Sequence, residues 1–267
     1  MTGAIAPSTV PHRARKRFGQ HFLHDRGVIE RILRAINPQA GEPLVEIGPG
    51  LGALTRPLLQ RCGRLDVIEI DRDVVPLLHD LCAGLGELHI HQADALRFDY
   101  GTLVTDDVPL RLIGNLPYNI STPLLFHLLA AASHIRDMHF MLQKEVVDRL
   151  TAAPGSADYG RLTVTVAARA QAQALFEVGA GAFKPPPRVI SAVVRITPRP
   201  APFPIHDLDC FDRVVTAAFG QRRKTLANAL RGVMDAGRIR AAGIDPGLRA
   251  ERLAPADFAR LAVAATT

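Results

Sequence analysis

The apolar and polar positions of this chain form two alternating kinds of segment. Short apolar runs of strand length alternate with longer segments in which apolar residues have helical spacing. The runs predict seven strands, at Leu44–Gly48, Leu65–Ile70, Leu88–His91, Leu110–Gly114, Met138–Leu142, Gln173–Val178 and Ile190–Thr197. Helices are predicted at Arg26–Ile36, Leu51–Arg61, Val74–Leu85, Thr122–Ala132, Lys144–Leu150 and Arg161–Ala170. This order predicts an α/β fold with a mostly parallel sheet covered by helices.

The last two predicted strands have no helix between them. They are separated by the loop Lys184-Pro185-Pro186-Pro187-Arg188, so we expect them to pair antiparallel at one edge of the sheet. A second proline cluster, from Pro198 to Pro204, marks a boundary, beyond which the chain is rich in Ala, Leu and Arg with helical periodicity. We therefore predict a large α/β domain over residues 1–200 and a small helical domain over residues 201–267.

Composition limits the compartment and the ligands. The chain has 267 residues, 48% of them hydrophobic, but its apolar stretches are interrupted well before the ~20 residues of a membrane span. The first ten residues lack the charged and apolar regions of a signal peptide, so we expect a cytoplasmic protein without membrane attachment. Three cysteines stand far apart, and ten histidines are scattered without metal-ligand spacing, so no metal site is predicted.

The positive charge is concentrated in two places. The net charge is +6, one cluster is Arg13-Ala14-Arg15-Lys16-Arg17, and the other is Arg222-Arg223-Lys224. A run of charges is often only a solvated face of a protein. Two such clusters in a basic chain nevertheless favour a nucleic acid as the partner.

A glycine-rich turn follows the first predicted strand. In Glu46-Ile47-Gly48-Pro49-Gly50-Leu51-Gly52, the glycines allow a tight turn and a close backbone approach to a ligand. Glu69 ends the second strand and can accept hydrogen bonds from both hydroxyls of a ribose. Gly48, Gly50 and Ala53 also fit the fingerprint of NAD enzymes, with Glu69 as its acidic residue. Glu46 is interpreted as a buried acid that supports the turn.

Asp94 decides between these cofactors. It follows the third strand, where a carboxylate can accept a hydrogen bond from the amino group of an adenine; alternatively it is a helix N-cap. The glycine turn, Glu69, Asp94 and the Asn115 described next together suit S-adenosylmethionine better than NAD.

The stretch Asn115-Leu116-Pro117-Tyr118 is the most specific signal. It follows an apolar strand and ends in a turn fixed by Pro117, so an amide, a backbone carbonyl and an aromatic face are presented together at a strand end. Two acceptors and a stacking face fit an exocyclic amine on a flat ring. The alternative is a strand that simply ends in a Pro-Tyr turn.

With these residues in place, the chain resembles the small-subunit ribosomal RNA adenine dimethyltransferases over nearly its whole length. The similarity includes the glycine turn, Ile68–Asp71, Ala93–Ala95 and the target-base motif Asn115–Tyr118 with its continuation Asn119-Ile120-Ser121. It also includes three further motifs, at Arg17–Leu23, at Phe183-Lys184-Pro185-Pro186-Pro187-Arg188-Val189 and at Ala218–Leu226. The glycine turn is common to most methyltransferases, whereas the target-base motif together with the C-terminal motif is highly specific.

The resemblance implies a class I, Rossmann-like methyltransferase fold of seven strands with a helical C-terminal domain. It implies S-adenosylmethionine-dependent N6,N6-dimethylation of two adjacent adenosines in the 3′-terminal hairpin loop of 16S rRNA, in the small ribosomal subunit or its precursor. The implied cofactor site comprises His21, Leu23, Gly48, Gly50, Glu69, Asp94 and Asn115. The implied base site comprises Asn115, Leu116, Pro117, Tyr118 and Phe183. Arg17, Arg222, Arg223 and Lys224 would contact RNA.

Position 21 departs from the family pattern, because many relatives have Asn there. His21 can still offer a ring N–H to the cofactor. A monomer is expected.

Several alternative functions share parts of this pattern. A large-subunit rRNA adenine methyltransferase would share the Asn115–Tyr118 pocket, although Gln221–Leu226 argues against it. A DNA adenine methyltransferase more often has Asp at the position of Asn115. A non-catalytic ribosome-assembly factor on the same fold and an NAD dehydrogenase are the remaining alternatives.

Overall fold

The computed structural model describes residues 21–221 and 223–266. Its strands are β1 Phe22–Leu23, β2 Leu44–Ile47, β3 Arg64–Glu69, β4 Glu87–Gln92, β5 Leu110–Asn115, β6 Ile135–Gln143, β7 Ala170–Val178, β8 Phe183–Lys184 and β9 Ser191–Pro198. Its helices are α1 Arg26–Ile36, α2 Thr55–Cys62, α3 Val74–Cys82, α4 Ser121–Ala130, α5 Lys144–Thr151, α6 Arg161–Ala167, α7 Leu208–Gly220, α8 Leu226–Ala229, α9 Ala236–Ala241 and α10 Pro255–Thr266.

Seven strands form one sheet, in the order β4-β3-β2-β5-β6-β9-β7. Strands β2 to β6 are parallel to one another, whereas β9 is antiparallel to both β6 and β7. The predicted α/β architecture and the antiparallel edge are therefore confirmed. Because the parallel strands end on the same side, their carboxyl ends bring Gly48, Glu69, Gln92 and Asn115 to one edge of the sheet.

Local backbone geometry explains where the predicted boundaries were wrong. The helix predicted from Leu51 begins only at Thr55, because Gly50 (φ 52°) and Gly52 (φ 75°) have left-handed conformations that a helix cannot contain. The first predicted helix has the expected bounds. There the Asp25 side chain accepts from the N–H of Val28, and Asn37, with φ 48°, ends the helix.

Two short strands were not predicted from the sequence. β1 and β8 pair antiparallel, with Phe22 opposite Lys184 and Leu23 opposite Phe183. Two residues are too few to show the period-2 pattern that identifies a strand. This pairing ties the segment before α1 to the proline-rich loop, close to the end of β5.

The sheet is packed on both faces. One face carries Leu112, Phe140 and Val194 into a core with α4, α5 and α6, and the opposite face packs Ile113 against Leu33 of α1 and Leu58 of α2. All three cysteines are buried and free. No helix among the described residues has both the length and the apolar character needed to cross a bilayer.

The C-terminal helices have a core of their own, which also takes in residues before position 200. Phe211, Leu230 and Phe258 pack together with Tyr159 and Val164, the latter from α6. The buried Tyr159 hydroxyl donates to the carbonyl of Leu253 at 2.7 Å. The predicted division at residue 200 stays a prediction, but α6 contributes Leu162 and Val166 to the core of the sheet and Val164 to the C-terminal core.

Candidate functional site

A cleft of about 220 Å³ lies at the carboxyl ends of the parallel strands. Its walls come from the segment before α1, from the turn after β2, and from the ends of β3, β4 and β5. The candidate residues that line it are His21, Leu23, Gly48, Gly50, Glu69, Asp94, Asn115, Leu116, Pro117 and Tyr118. Residues far apart in the sequence are thus brought together at the predicted sheet edge.

The glycine turn has the open geometry that a ligand requires. Gly48 has φ 66°, and a Cβ built there would meet no other atom within 4 Å, so the backbone itself borders empty space. At Gly50 (φ 52°), a Cβ would lie 3.2 Å from the ring of Phe22. A side chain at Gly50 would therefore be strained in its backbone and crowd the segment that closes the cleft.

Glu69 is held in place by the backbone around it. Its Oε1 accepts from the N–H of Asp71 at 2.8 Å, and Oε2 accepts from the N–H of Gly50 at 3.4 Å. Burial raises the pKa of Glu69, and these hydrogen bonds oppose that rise. The carboxylate links the glycine turn to the end of β3 and retains acceptor capacity towards the cleft.

Asp94 stabilises a loop at the end of β4 and also lines the cleft. Its Oδ1 accepts from the N–H of Leu96 at 2.9 Å, and the following residues form a turn rather than a helix. The side chain is only partly buried and lines the cleft. One carboxylate oxygen therefore stabilises the loop, and Asp94 does not cap a helix.

Asn115 ends β5 with its amide oriented by the N-terminal segment. Its Nδ2 donates to the carbonyl of His21 at 3.0 Å. The Asn115 nitrogen is therefore used in a hydrogen bond within the protein. Its Oδ1 remains available to accept a hydrogen bond from a ligand. Next to it, Leu116 is buried, and its N–H donates to the Met141 carbonyl at 3.1 Å, which fixes the backbone of the motif.

The turn after Leu116 presents a carbonyl and an aromatic ring. The Pro117 carbonyl accepts from the N–H of Ile120 at 3.2 Å and keeps a second lone pair. The Tyr118 hydroxyl and Ser191 Oγ are 2.7 Å apart. Burial raises the pKa of Tyr118, so its hydroxyl stays protonated at neutral pH and is not a base.

His21 lies between the cleft and the proline-rich loop. Its Nδ1 is 2.9 Å from the Pro185 carbonyl, and its ring centroid is 5.7 Å from that of Tyr118. The His21 ring therefore contacts the Pro185 carbonyl, whereas the His21 main-chain carbonyl accepts from Asn115. Leu23, one of the two residues of β1, is 6% exposed and supports the floor of the cleft.

Phe183 is not brought to the cleft. Its side chain is 3% exposed and packs in the core that contains Leu23, Met141 and Val193. In this arrangement Phe183 is a packing residue behind β1, and stacking on a ligand would require its ring to leave that core. The stacking role predicted from the sequence therefore has no support in the geometry.

The C-terminal basic cluster lies in the connection between α7 and α8. Arg223 and Lys224 are exposed, just before α8 begins at Leu226. Arg17 and Arg222 lie outside the described residues.

Three contributors to the site were missed or assigned another role by sequence reasoning. Ser191, which holds Tyr118, had no signal in the sequence because its partner is 73 residues away. Ile70 lines the cleft with 51% of its surface exposed and had been assigned to the strand. Glu46 lines the cleft although it is only 2% exposed, and burial raises its pKa to about 8.

The described residues contain no group of three or more His, Cys, Asp or Glu side chains that could hold a metal ion. The polar groups that line the cleft include the Asn115 amide and the carboxylates of Glu69 and Asp94.

Comparisons with known proteins identify the family of this chain. A family model described as "Ribosomal RNA adenine dimethylase" matches residues 11–266. The chain is 56% identical over 252 residues to "Ribosomal RNA small subunit methyltransferase A" of Pseudomonas putida, covering 94% of each protein. It is also 56% identical to the protein of that name from Nitrosococcus oceani, over 95% of this chain and 97% of the relative.

Two solved structures share the fold. A dimethyladenosine transferase from Plasmodium falciparum superposes with a TM-score of 0.73 at 24% identity, over 90% of this chain and 96% of that one. The 23S rRNA methyltransferase ErmE superposes with a TM-score of 0.70 at 26% identity, over 92% of this chain and 100% of that one. From the match of the family model and the high identity to its curated relatives, the chain belongs to the ribosomal RNA adenine dimethylase family.

Proposed function

We propose that this protein uses S-adenosylmethionine to dimethylate N6 of two adjacent adenosines in the 3′-terminal hairpin loop of 16S rRNA during assembly of the small ribosomal subunit. The observation that carries the proposal is the oriented amide of Asn115, whose Nδ2 is held by the His21 carbonyl at 3.0 Å. Its Oδ1 remains to accept a hydrogen bond from an exocyclic amine. The names of the 56% identical relatives support the small subunit as the target.

The residues of the cleft fit the methyl donor. The open space above Gly48 suits a ligand that lies against the backbone, and Glu69 can accept from the two ribose hydroxyls. Asp94 can accept from the adenine amino group, while Ile70 offers apolar surface beside it. When bound, S-adenosylmethionine supplies a methyl group already activated by its sulfonium. The protein then has only to orient the nucleophile and exclude competing geometries.

Asn115 and Pro117 would perform that orientation. The N6 lone pair of adenine is delocalised into the ring, so the amine is a poor nucleophile in its planar form. Asn115 Oδ1 and the Pro117 carbonyl would accept the two N6 hydrogens and turn the lone pair towards the methyl. N6 becomes acidic only once the new carbon–nitrogen bond forms, so its proton can pass to water without a dedicated base. Preorganised acceptors of this kind account for much of the rate in many enzymes.

Tyr118 would stack on the target base, which must be unpaired or flipped out because duplex RNA hides N6. We expect Tyr118→Ala to raise the KM for RNA roughly 5- to 150-fold, since stacking contributes about 1–3 kcal/mol per base. Tyr118→Phe keeps the ring and loses only the 2.7 Å contact with Ser191, so its KM should stay within about threefold of the wild-type value. Steady-state kinetics on undermethylated small subunits measure both. Equal effects of the two substitutions would show that the hydroxyl, not the ring face, matters.

The exposed Arg223 and Lys224 would contact phosphates and position the RNA without reading its sequence. We expect replacement of Arg222, Arg223 and Lys224 by Ala to weaken RNA binding and to reduce the slope of log affinity against log salt by about two to three. A double Ala variant of Arg64 and Arg136, both exposed at the amino ends of their strands, is the matched control and should keep the wild-type slope. An unchanged slope in the triple variant would contradict this assignment.

The whole proposal is tested by incubating the purified protein with labelled S-adenosylmethionine and undermethylated small subunits, followed by nucleoside analysis. N6,N6-dimethyladenosine at two adjacent positions is the expected product. If parallel reactions label only large-subunit RNA or DNA, the proposed site would stand, but the proposed substrate would be wrong. Cofactor binding without transfer to any nucleic acid would favour a non-catalytic assembly factor. An enzyme with this target would act in the cytoplasm where subunits assemble, and we expect it to act as a monomer.

A further inference from the structure

Glu46 is a buried acid that the mechanism above does not use. It lies on β2, two residues before Gly48, with 2% of its surface exposed, and it lines the cleft. Its Oε2 has no hydrogen-bond partner among the described residues, and the hydroxyl of Thr55 is the neighbouring side-chain group that favours its ionised form. A buried carboxyl oxygen without a partner is costly, and it favours a proton on the acid or a cation nearby.

The groups facing Glu46 are acidic or neutral. Glu69 approaches from β3, the Cys82 thiol from α3 and the Thr55 hydroxyl from α2. Arg56, also on α2, acts on Cys82. Burial, followed by the charge of Glu69, raises the pKa of Glu46 to about 8. Near neutral pH the empty cleft therefore holds a protonated acid close to its titration point.

The donor and the product of the proposed reaction differ by one positive charge. S-adenosylmethionine has a sulfonium that S-adenosylhomocysteine lacks, and a cation in a shielded cleft favours an ionised neighbouring carboxylate. We propose that Glu46 discriminates donor from product, by being ionised when the sulfonium is present and protonated when it is not. This inference rests on the proposed function. It makes Glu46 a positioning residue that strengthens binding of S-adenosylmethionine relative to S-adenosylhomocysteine, so that the product is more easily replaced by the donor.

The test is the number of protons released on binding, measured by titration calorimetry in buffers of different ionisation enthalpy. The ligands are S-adenosylmethionine and S-adenosylhomocysteine, and the proteins are wild type and Glu46→Gln. For wild type we expect proton release with the donor between pH 7 and 8, and donor affinity that rises about sixfold from pH 6.5 to 8.5, which corresponds to a pKa lowered by one unit from about 8. Glu46→Gln should match wild type at pH 6.5 and bind the donor about sixfold more weakly at pH 8.5.

Two comparisons isolate Glu46 from other titrating groups. The amine of the ligand titrates in every variant, so the difference between wild type and Glu46→Gln cancels it. Glu69 would meet the same ribose in both ligands, so its contribution cancels between donor and product. Thr55→Val is a second variant; loss of the neighbouring hydroxyl should move the proton release to higher pH.

The outcomes separate the two hypotheses. The same proton release with both ligands, or proton release retained in Glu46→Gln, would overturn the role of Glu46 while donor binding and methylation persist. If a folded wild-type protein binds neither ligand, the proposed function fails as well.

Discussion

Asn115→Ala is expected to reduce kcat for adenosine methylation by about 100- to 1,000-fold, the usual cost of removing one preorganised polar group from a transition state. Two contacts are lost at once. Oδ1 no longer accepts from N6, and the His21 carbonyl loses the donor that it now receives at 3.0 Å. Transfer rates should be measured with saturating donor, and donor affinity should be measured separately by calorimetry. We expect the fall in kcat to exceed any loss of donor affinity.

Asn115→Asp is expected to be nearly as defective, because a carboxylate oxygen would replace Nδ2 opposite the His21 carbonyl. Gln92→Ala is the matched control, since Gln92 is an exposed amide at the carboxyl end of β4 that does not line the cleft. It should retain wild-type kcat within about twofold. If Asn115→Ala keeps more than about a tenth of the wild-type kcat, the amide does not orient the base.

Arg111→Ala is expected to destabilise the fold by about 3–5 kcal/mol, the range for breaking a buried ion pair from one side. The Arg111 side chain is 6% exposed; its Nε donates to Asp137 at 3.1 Å, its Nη1 to Glu42 at 2.7 Å and its Nη2 to the Ile36 carbonyl at 2.7 Å. Removing Arg111 takes away the buried cation between Asp137 and Glu42, and it leaves the Ile36 carbonyl in the last turn of α1 without this donor. Thermal unfolding should show a Tm lower by about 6–20 °C.

The matched control is Arg136→Ala. Arg136 also binds Glu42, at 2.9 Å, but its side chain is 58% exposed, so we expect a change of less than about 1 kcal/mol. Similar losses for both arginines would contradict the distinction between a buried and an exposed pair.

The destabilisation by Arg111→Ala should depend on pH. Burial alone would raise the pKa of Glu42 and Asp137, but hydrogen bonds, including those from Arg111, hold both pKa values below their usual range. Wild-type stability from these acids is therefore present above about pH 4 and lost as pH falls through the lowered pKa values. Without Arg111 the pKa values of Glu42 and Asp137 should rise. The difference in free energy of unfolding between wild type and Arg111→Ala should therefore be largest near pH 7 and shrink below about pH 4.

Much of the fold could be predicted from local pattern. Apolar runs located all seven strands of the main sheet, because the central strands bury continuous apolar segments and the edge strands β4 and β7 still have apolar residues at partly buried positions. Element ends were less accurate where backbone conformation, not hydrophobicity, decides them. Gly50 and Gly52 delayed α2 by four residues, and Ala83 and Gly84 ended α3 at Cys82.

The polar residues of the site were also predictable in part, because parallel strands end at one edge. Glu69, Asp94 and Asn115 each follow an apolar strand, so the topology had to bring them together. Phe183 was assigned by its motif alone. Whether its ring faces the cleft or the core depends on the pairing of β8 with β1, which involves residues about 160 positions apart.

By itself, then, the sequence determined the order of elements, the glycine turn and the polar groups at the strand ends, since these follow from short-range periodicity and turn chemistry. Only the tertiary structure decided which groups line the same cleft, which atom of the Asn115 amide remains available as an acceptor, and which acid is buried away from solvent. The His21 carbonyl selects the orientation of the Asn115 amide from 94 residues away. Burial among α2, α3 and β3 shifts the proton equilibrium of Glu46, and that burial exists only after the chain has packed.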